Sequence, residues 1–231
     1  MLVYWVGLRG RGILAVPKGR DEPIPLVIAQ HGIGSSPERV FGLDDPADIY
    51  KGYGRRLVEE GFAVIAPMNV SGGPPRARLE RLCKLLGKTL WGLEVYRTQR
   101  LLDFLETRSE IDVGRTAMYG ISLGGAYTMF TVPLEPRISA AVVCAWFNER
   151  RHKMAIDDPR YSCFLSVDEE HIWIPGLAAG VYRQRPRVAD LPTSIIGRAG
   201  QGRWDRLVAA DVAGIRGDLC ALSAIGLGRP Y

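Results

Sequence analysis

The chain has 231 residues, 47% of them hydrophobic. This apolar content is enough to bury one sizeable core, and chains of this length commonly form a single α/β domain. Its net charge of +5 includes no block of like charge and no basic run interleaved with aromatics, so we expect no nucleic-acid partner. Four widely spaced cysteines without a C-x-x-C pair argue against bound zinc or disulfides, and the lack of a long apolar stretch predicts a cytoplasmic protein with no membrane partner.

The first part of the chain predicts alternating strands and helices. Two short apolar runs bounded by Pro and Gly, residues 13–16 and 26–30, are typical of buried strands in a mostly parallel sheet. A helix is predicted over 53–60, where a glycine follows its end. The next buried strand is predicted over 62–66 and is stopped by Pro67.

The middle of the chain continues this alternation. The stretch 78–108 favours helix, and a strand over 116–121, a helix over 123–131 and a strand over 138–146 follow. Strands that alternate with helices predict a doubly wound, mostly parallel sheet flanked by helices. The face of the long helical stretch that should pack on this sheet carries apolar side chains at helical spacing, namely Trp91, Val95, Thr98, Leu102 and Leu105.

A Gly-x-Ser-x-Gly pattern lies at the junction of the strand over 116–121 and the helix over 123–131. A serine on such a sharp strand-to-helix turn is presented to substrate, which is typical of a nucleophile and here indicates Ser122. The turn leaves no room for side chains two positions to either side, and Gly120 and Gly124 occupy those positions. The pattern therefore predicts a serine nucleophile.

Three features together resemble the α/β-hydrolase superfamily, in particular its dienelactone hydrolase and acetyl xylan esterase-like branch. The first is the loop Gln-His-Gly-Ile-Gly over 30–34, directly after a buried strand. The second is the helix and turn over 85–115, and the third is the Ser122 turn within 118–125. These features lie within residues 12–146 in the order that the superfamily has them, so the resemblance implies an α/β-hydrolase fold.

The mechanism that the resemblance implies is acyl transfer without a metal or cofactor. Ser122 Oγ would attack the carbonyl of a small-molecule ester, and the backbone N–H groups of Leu123 and Ile33 would bind the resulting oxyanion. Dienelactone hydrolases use a cysteine nucleophile. Because this chain carries serine at that position, the resemblance favours a general esterase over that particular activity.

The superfamily activates its serine with an acid and a histidine base that follow it in chain order, and this chain has few candidates. None of its three histidines lies in the last 60 residues, where the base is expected. We expect His31 to have a structural role in its loop. His152 lies in a charged cluster and is expected either to be solvated or to fix a loop, whereas His171 is better placed as a base but fits an insertion. Candidate acids, for which a solvated loop is the alternative, are Asp157, Asp158, Asp168 and Glu170.

The composition changes near Val181. From 183 to 231 the chain has eight Arg, seven Ala and seven Gly, but no Lys, Glu, His or Phe. We therefore predict an α/β-hydrolase core over 1–182, with an insertion or cap-like segment over 147–180, and an atypical tail over 183–231. Aromatic side chains of the predicted insertion belong either to the core or to the wall of a specificity pocket, namely Tyr161, Phe164 and Trp173.

The tail suggests why no base is found. When the codons allowed for residues 183–205 are reread one base later, they permit a stretch that resembles the acid-bearing turn of this branch, with its aspartate read across Arg203 and Trp204. We hypothesise that the chain leaves its ancestral reading frame near Val181, so that the C-terminal part of the fold is incomplete. The start also looks shortened, since members of this branch often carry an additional N-terminal segment.

Three functions are compatible with these observations. The first is a serine hydrolase of carboxylic esters that acts through an acyl-enzyme on Ser122. The second is a catalytically incomplete remnant of such an enzyme, which retains the serine turn without an acid and base. The third is a binding protein that uses the cleft above Ser122 for a ligand, because fold alone does not determine function.

Overall fold

The computed structural model describes residues 2–5, 8–45, 48–70, 72–146, 188–191 and 194–197. In these ranges the strands are β1 (Leu2–Trp5), β2 (Leu8–Gly10), β3 (Gly12–Ala15), β4 (Ile24–Gln30), β5 (Ala63–Pro67), β6 (Ile111–Ile121), β7 (Ile138–Cys144), β8 (Val188–Leu191) and β9 (Ser194–Gly197). The helices are α1 (Pro37–Val40), α2 (Tyr53–Glu59), α3 (Gly73–Leu85), α4 (Leu90–Leu105) and α5 (Leu123–Thr131), and a 3₁₀ turn covers Val132–Leu134.

Seven of the described strands form one sheet in the order β3-β5-β4-β6-β7-β9-β8. The four adjacent strands β5, β4, β6 and β7 are parallel, whereas β3 pairs antiparallel with β5 and β9 pairs antiparallel with β7. From β4 the chain crosses to β5 on one side, and from β5 it returns past β4 to β6 on the other side. The strand order therefore reverses between β4 and β6.

Helices cover both faces of the sheet, as the near-continuous apolar strands predict. Along β4, Leu26 and Ile28 belong to the core cluster shared with α4 and α5, while Val27 and Ala29 belong to the cluster shared with α1 and α2. Because successive side chains of a strand point to opposite faces, β4 contributes to two cores at once. The strand is buried along nearly its whole length and forms a rigid base for the loop that follows it.

The helical stretch predicted over 78–108 is two helices, α3 and α4. Gly87 has a φ of +64°, which is left-handed and ends the first helix. Thr89 then caps the second helix, since its Oγ1 accepts a hydrogen bond of 2.9 Å from the Gly92 N–H. The sequence contains both the glycine and the capping threonine. They do not stand out as a helix break, because the helical spacing of apolar residues continues across them.

The other differences from prediction lie at strand ends. β6 begins at Ile111, five positions before the predicted start at 116, with a register shift against β7 after Thr116. The tail predicted to be atypical contributes β8 and β9. The insertion predicted over 147–180 lies outside the described residues. No helix in the described ranges combines the length and the apolar composition needed to cross a lipid bilayer.

Candidate active site

The carboxyl ends of β4 and β6 meet at the point where the strand order reverses. In open α/β sheets, ligands bind in the crevice that forms at such a point, because the loops after the two strands leave in opposite directions. Here the loop after β4 begins with His31, and the turn after β6 carries Ser122. The fold thus brings together two segments about 90 residues apart that the sequence predicts to share a site.

Ser122 lies directly between β6 and α5 with φ of 58° and ψ of −119°. A positive φ is rare for residues with a side chain and costs of the order of 1 to 3 kcal/mol. The turn is held by hydrogen bonds on either side, since the Ser122 N–H donates to Cys144 O at 2.9 Å and Ser122 O accepts from the Ala126 N–H at 3.0 Å. Ser122 thus occupies a strained, half-buried position on a sharp strand-to-helix turn, where the sequence predicts a nucleophile.

The glycines of the turn are required by space. A Cβ on Gly120 would overlap the Gly124 carbonyl and lie 2.5 Å from Thr128 Oγ1. A Cβ on Gly124 would overlap the Gln30 carbonyl and lie 2.8 Å from His31 O. The helix after Ser122 therefore packs directly on the backbone that follows β4. The sequence predicts that both positions require glycine. The structure shows the same requirement at Gly125, where an added Cβ would lie 2.6 Å from Cys144 O.

The loop after β4 lies against the serine. A Cβ on Gly32 would lie 3.4 Å from Ser122 Cβ and 3.0 Å from the hydroxyl oxygen of Tyr50. The Gly32 N–H already donates to that hydroxyl at 2.8 Å. Because the Gly32 N–H is already bonded to Tyr50, the first backbone N–H of this loop that could bind a substrate oxygen is that of Ile33.

The two backbone groups expected to bind an oxyanion are those of Ile33 and Leu123. Within the described part of the chain neither N–H has a hydrogen-bond acceptor. The Leu123 N–H is the first of α5, so it lies at the positive end of the helix dipole. Both groups are thus available to a developing negative charge.

His31 is fully buried and both of its ring nitrogens are engaged. Nδ1 lies 2.8 Å from Gly32 O, and Nε2 accepts a hydrogen bond of 3.1 Å from the Asn69 N–H. Because Nε2 is an acceptor, the proton resides on Nδ1, which donates to the Gly32 carbonyl. Burial lowers the pKa of His31, so the ring is neutral. This arrangement is structural, as the sequence predicts.

The remaining candidates for the acid and the base lie outside the described residues. Within the described part of the chain, Ser122 Oγ has no hydrogen-bond partner, and no cluster of His, Cys, Asp and Glu side chains could hold a metal ion. The candidates concerned are His152, His171, Asp157, Asp158, Asp168 and Glu170, and the same holds for the aromatic residues Tyr161, Phe164 and Trp173.

Two residues near the site are not predicted from the sequence. Asn69 follows Pro67 at the carboxyl end of a buried strand, the edge at which α/β sheets bind ligands, so its position is a usable signal. Its amide donates to His31 O at 3.0 Å. Tyr50 lies in a turn without periodicity and offers no such signal. It reaches the site because Asp48 Oδ1 accepts from the Tyr50 N–H at 2.7 Å.

A buried ionic network lies beneath the Asn69 loop. Glu94 on α4 pairs with Arg97 at 2.8 Å and accepts from the Val70 N–H at 2.8 Å. Arg76 on α3 donates to Val70 O at 2.5 Å and to the Tyr127 hydroxyl at 2.7 Å. Burial raises the pKa of Tyr127, so its hydroxyl stays protonated. The network ties the loop after β5 to three helices.

Comparison with known proteins yields one curated relative and several solved structures, and no family model matches the chain. The relative is YtaP of Bacillus subtilis (strain 168), which is named as a hydrolase and is 30% identical over 133 residues. The match covers 54% of this chain and 44% of YtaP, so the chain spans less than half the length of that relative.

The solved structures include two that are named as acetyl xylan esterases. The protein from Bacteroides fragilis has 22% identity and a TM-score of 0.48, over 55% of this chain and 39% of that one. The protein from Paenibacillus sp. R4 has 20% identity and a TM-score of 0.46, over 74% of this chain and 57% of that one. The order of the parallel strands, the strained serine turn and the adjoining loop after β4 confirm that the described part of the chain has the α/β-hydrolase fold predicted from its motifs.

Proposed function

We propose that this protein is a serine hydrolase of carboxylic esters, with Ser122 as its nucleophile. The conformation of Ser122 carries the proposal, because a positive φ on a serine between a central strand and a helix presents Oγ to the crevice. Strained residues of this kind persist where the surrounding structure holds them, and they concentrate at active sites. The expected substrate is a small-molecule ester met in the cytoplasm.

The surroundings of Ser122 support acyl transfer in particular. Attack of Oγ on an ester carbonyl converts the carbonyl oxygen into an oxyanion, which needs donors that are already in place. The N–H groups of Leu123 and Ile33 have no acceptor within the described part of the chain. Each such donor is worth about 3 kcal/mol of transition-state stabilisation in comparable enzymes.

The proposal is tested with p-nitrophenyl acetate and a fluorophosphonate probe. We expect turnover and covalent labelling of the wild-type chain, and loss of both in Ser122→Ala. Ser36→Ala serves as a control, since Ser36 only caps α1 by accepting from the Arg39 N–H at 3.4 Å. Equal turnover by wild type and Ser122→Ala would refute the role of Ser122.

A second candidate function is a catalytically incomplete remnant of the same enzyme. One observation favours it: both ring nitrogens of His31 are engaged, so this histidine cannot serve Ser122 as a base. A folded wild-type chain that neither turns over the ester nor reacts with the probe would support the remnant. Tight binding of an ester without turnover would instead support a binding protein.

A further inference from the structure

The peptide group between His31 and Gly32 is held at both of its ends. Its carbonyl oxygen, His31 O, accepts a hydrogen bond of 3.0 Å from Asn69 Nδ2. Its N–H, on Gly32, donates to the Tyr50 hydroxyl at 2.8 Å. A planar group that is fixed at both ends cannot rotate about the chain without breaking one of these two buried bonds.

The next peptide group, between Gly32 and Ile33, is held through its carbonyl. Gly32 O accepts from His31 Nδ1 at 2.8 Å. In a trans peptide the C=O and the N–H point in opposite directions within one plane. The contact on the Gly32 carbonyl therefore sets the direction of the Ile33 N–H, which follows the engaged Gly32 N–H and has no acceptor within the described part of the chain.

Asn69 determines the state of the His31 ring. Its backbone N–H donates to Nε2 at 3.1 Å, which requires the proton to be on Nδ1, where it can reach the Gly32 carbonyl. The side-chain amide of Asn69 reaches the His31 carbonyl at the same time. One buried residue thus orients both the ring and the backbone that lead to the Ile33 N–H.

Asn69 is itself anchored on both sides. Met68 O accepts from Arg97 at 2.8 Å, and the Val70 N–H donates to Glu94 Oε1 at 2.8 Å. Asn69 is only 5% exposed, so its hydrogen bonds do not compete freely with water. The loop after β5 is therefore a fixed support for the loop after β4.

We propose that Asn69 is a positioning residue for ester hydrolysis, which acts through His31 to aim the Ile33 N–H at the oxyanion. This inference rests on the proposed function, because it takes the Ile33 N–H as a donor to the reacting carbonyl oxygen. Asn69 does not touch the substrate in this account, so its loss should lower kcat and leave KM nearly unchanged.

The kinetic test compares Asn69→Ala and Asn69→Asp with the control Gln99→Ala. Each Asn69 variant removes the donor to His31 O, whereas Gln99→Ala removes an amide donor to Leu134 O, a 3.1 Å bond at the surface. We expect the Asn69 variants to lower kcat about 10- to 100-fold with KM changed less than about twofold, since small errors in orienting a donor have effects of this size. The control should retain wild-type kinetics.

A spectroscopic test does not depend on activity. His31–Gly32 is the only His-Gly pair in the sequence, so a protein labelled with carbonyl-¹³C histidine and ¹⁵N glycine gives one doubly labelled peptide group. We expect Asn69→Ala to move its carbonyl resonance upfield through loss of the hydrogen bond, while Gln99→Ala leaves it in place. In wild type, the long-range ¹H–¹⁵N spectrum should show a histidine protonated on Nδ1 alone.

The outcomes separate this inference from the proposed function. A carbonyl resonance that does not move in folded Asn69→Ala, the absence of a histidine protonated on Nδ1 alone, or an unchanged kcat in that variant of an active protein would overturn the role of Asn69. We call the hydrogen bonds of Asn69 and Tyr50 to the His31–Gly32 peptide group the clamp. If wild type hydrolyses no ester, the proposed function fails, and so does a catalytic purpose for the clamp. The resonances would then show only whether the clamp exists. Circular dichroism establishes that each variant is folded.

Discussion

The positive φ of Ser122 is held in place by hydrogen bonds and close backbone contacts of the residues around it. Its N–H is bound to Cys144 O on the neighbouring strand, and its carbonyl begins the hydrogen bonding of α5. Gly120 and Gly124 then allow the backbones of strand, turn and helix to approach closely. The strain of about 1 to 3 kcal/mol is offset by these contacts, so the turn should tolerate few substitutions.

We expect Gly124→Ala to destabilise the fold by about 3 kcal/mol or more, because its methyl group meets backbone carbonyls that cannot move aside. The matched control is Gly92→Ala, an exposed helix position where the nearest atom, Thr89 Oγ1, would lie 3.3 Å away. There alanine should be neutral or stabilising by up to about 1 kcal/mol. Urea unfolding of both variants measures the difference, and equal stabilities would contradict the packing argument.

The residues of the candidate site differ in how well the sequence predicts them. Ser122 and its glycines follow from a local pattern, since strand, turn and helix adjoin in the chain. Tyr50 and Asn69 do not, because they lie 18 and 37 positions from Gly32 and reach its loop only through the fold. Long-range hydrogen bonds leave no periodic trace in a sequence.

Helix α4 supports the site through a buried ion pair. Glu94 and Arg97 are 6% and 9% exposed, and each also bonds to the loop after β5, at Val70 N–H and Met68 O. Removing one partner of a buried pair leaves the other charge uncompensated, which costs more than the intact pair contributes. The pair therefore couples the stability of α4 to the position of this loop.

We expect Glu94→Ala to lower the free energy of unfolding by about 3 to 5 kcal/mol, because it leaves the Arg97 charge buried without its carboxylate. The matched control is Glu80→Ala on α3, which breaks a solvent-accessible pair with Lys84 at 3.3 Å and should cost less than about 1 kcal/mol. Chemical denaturation of the two variants compares these losses. A loss in Glu94→Ala no larger than in the control would show that the pair does not stabilise the fold.

Secondary structure was predictable where the local pattern of apolar and turn residues matched the burial of the segment in the fold. Strands β4 and β5 are apolar and bounded by turn residues, and the structure has them within two positions of the predicted ends. The break between α3 and α4 was hidden because the apolar spacing continues through it. The early start of β6 was missed because Asp112, Gly114 and Arg115 read as a turn, although Ile111 and Asp112 pair with β4.

Within the described part of the chain the parallel strands end at β7. The superfamily that the motifs resemble places its acid and base after the serine in chain order. Here β9 pairs antiparallel with β7 through residues of the atypical tail. We propose, from the codon pattern of 183–205, that this tail is read out of its ancestral frame. On that account the acid and base are lost from this chain, while the serine turn remains.

We expect a one-base change near the codon of Val181 to restore the acid-bearing turn and to yield a more active esterase than the chain as it stands. The measurement is p-nitrophenyl acetate hydrolysis by the chain as it stands and by the reframed chain, each with Ser122→Ala as its control. Activity should be higher in the reframed chain, since an activated serine needs its base. If the nucleotide sequence contains no one-base change that restores this stretch, the hypothesis is wrong.

Local sequence was sufficient for the alternation of strands and helices, for the serine turn and for the two glycines beside it. These features depend on neighbouring residues, because apolar period and lack of space act over a few positions. The strand order, the engaged state of His31 and the clamp from Asn69 and Tyr50 came only from the folded chain. They depend on contacts between segments far apart in sequence, and such contacts exist only once the sheet has brought the ends of β4, β5 and β6 to one edge.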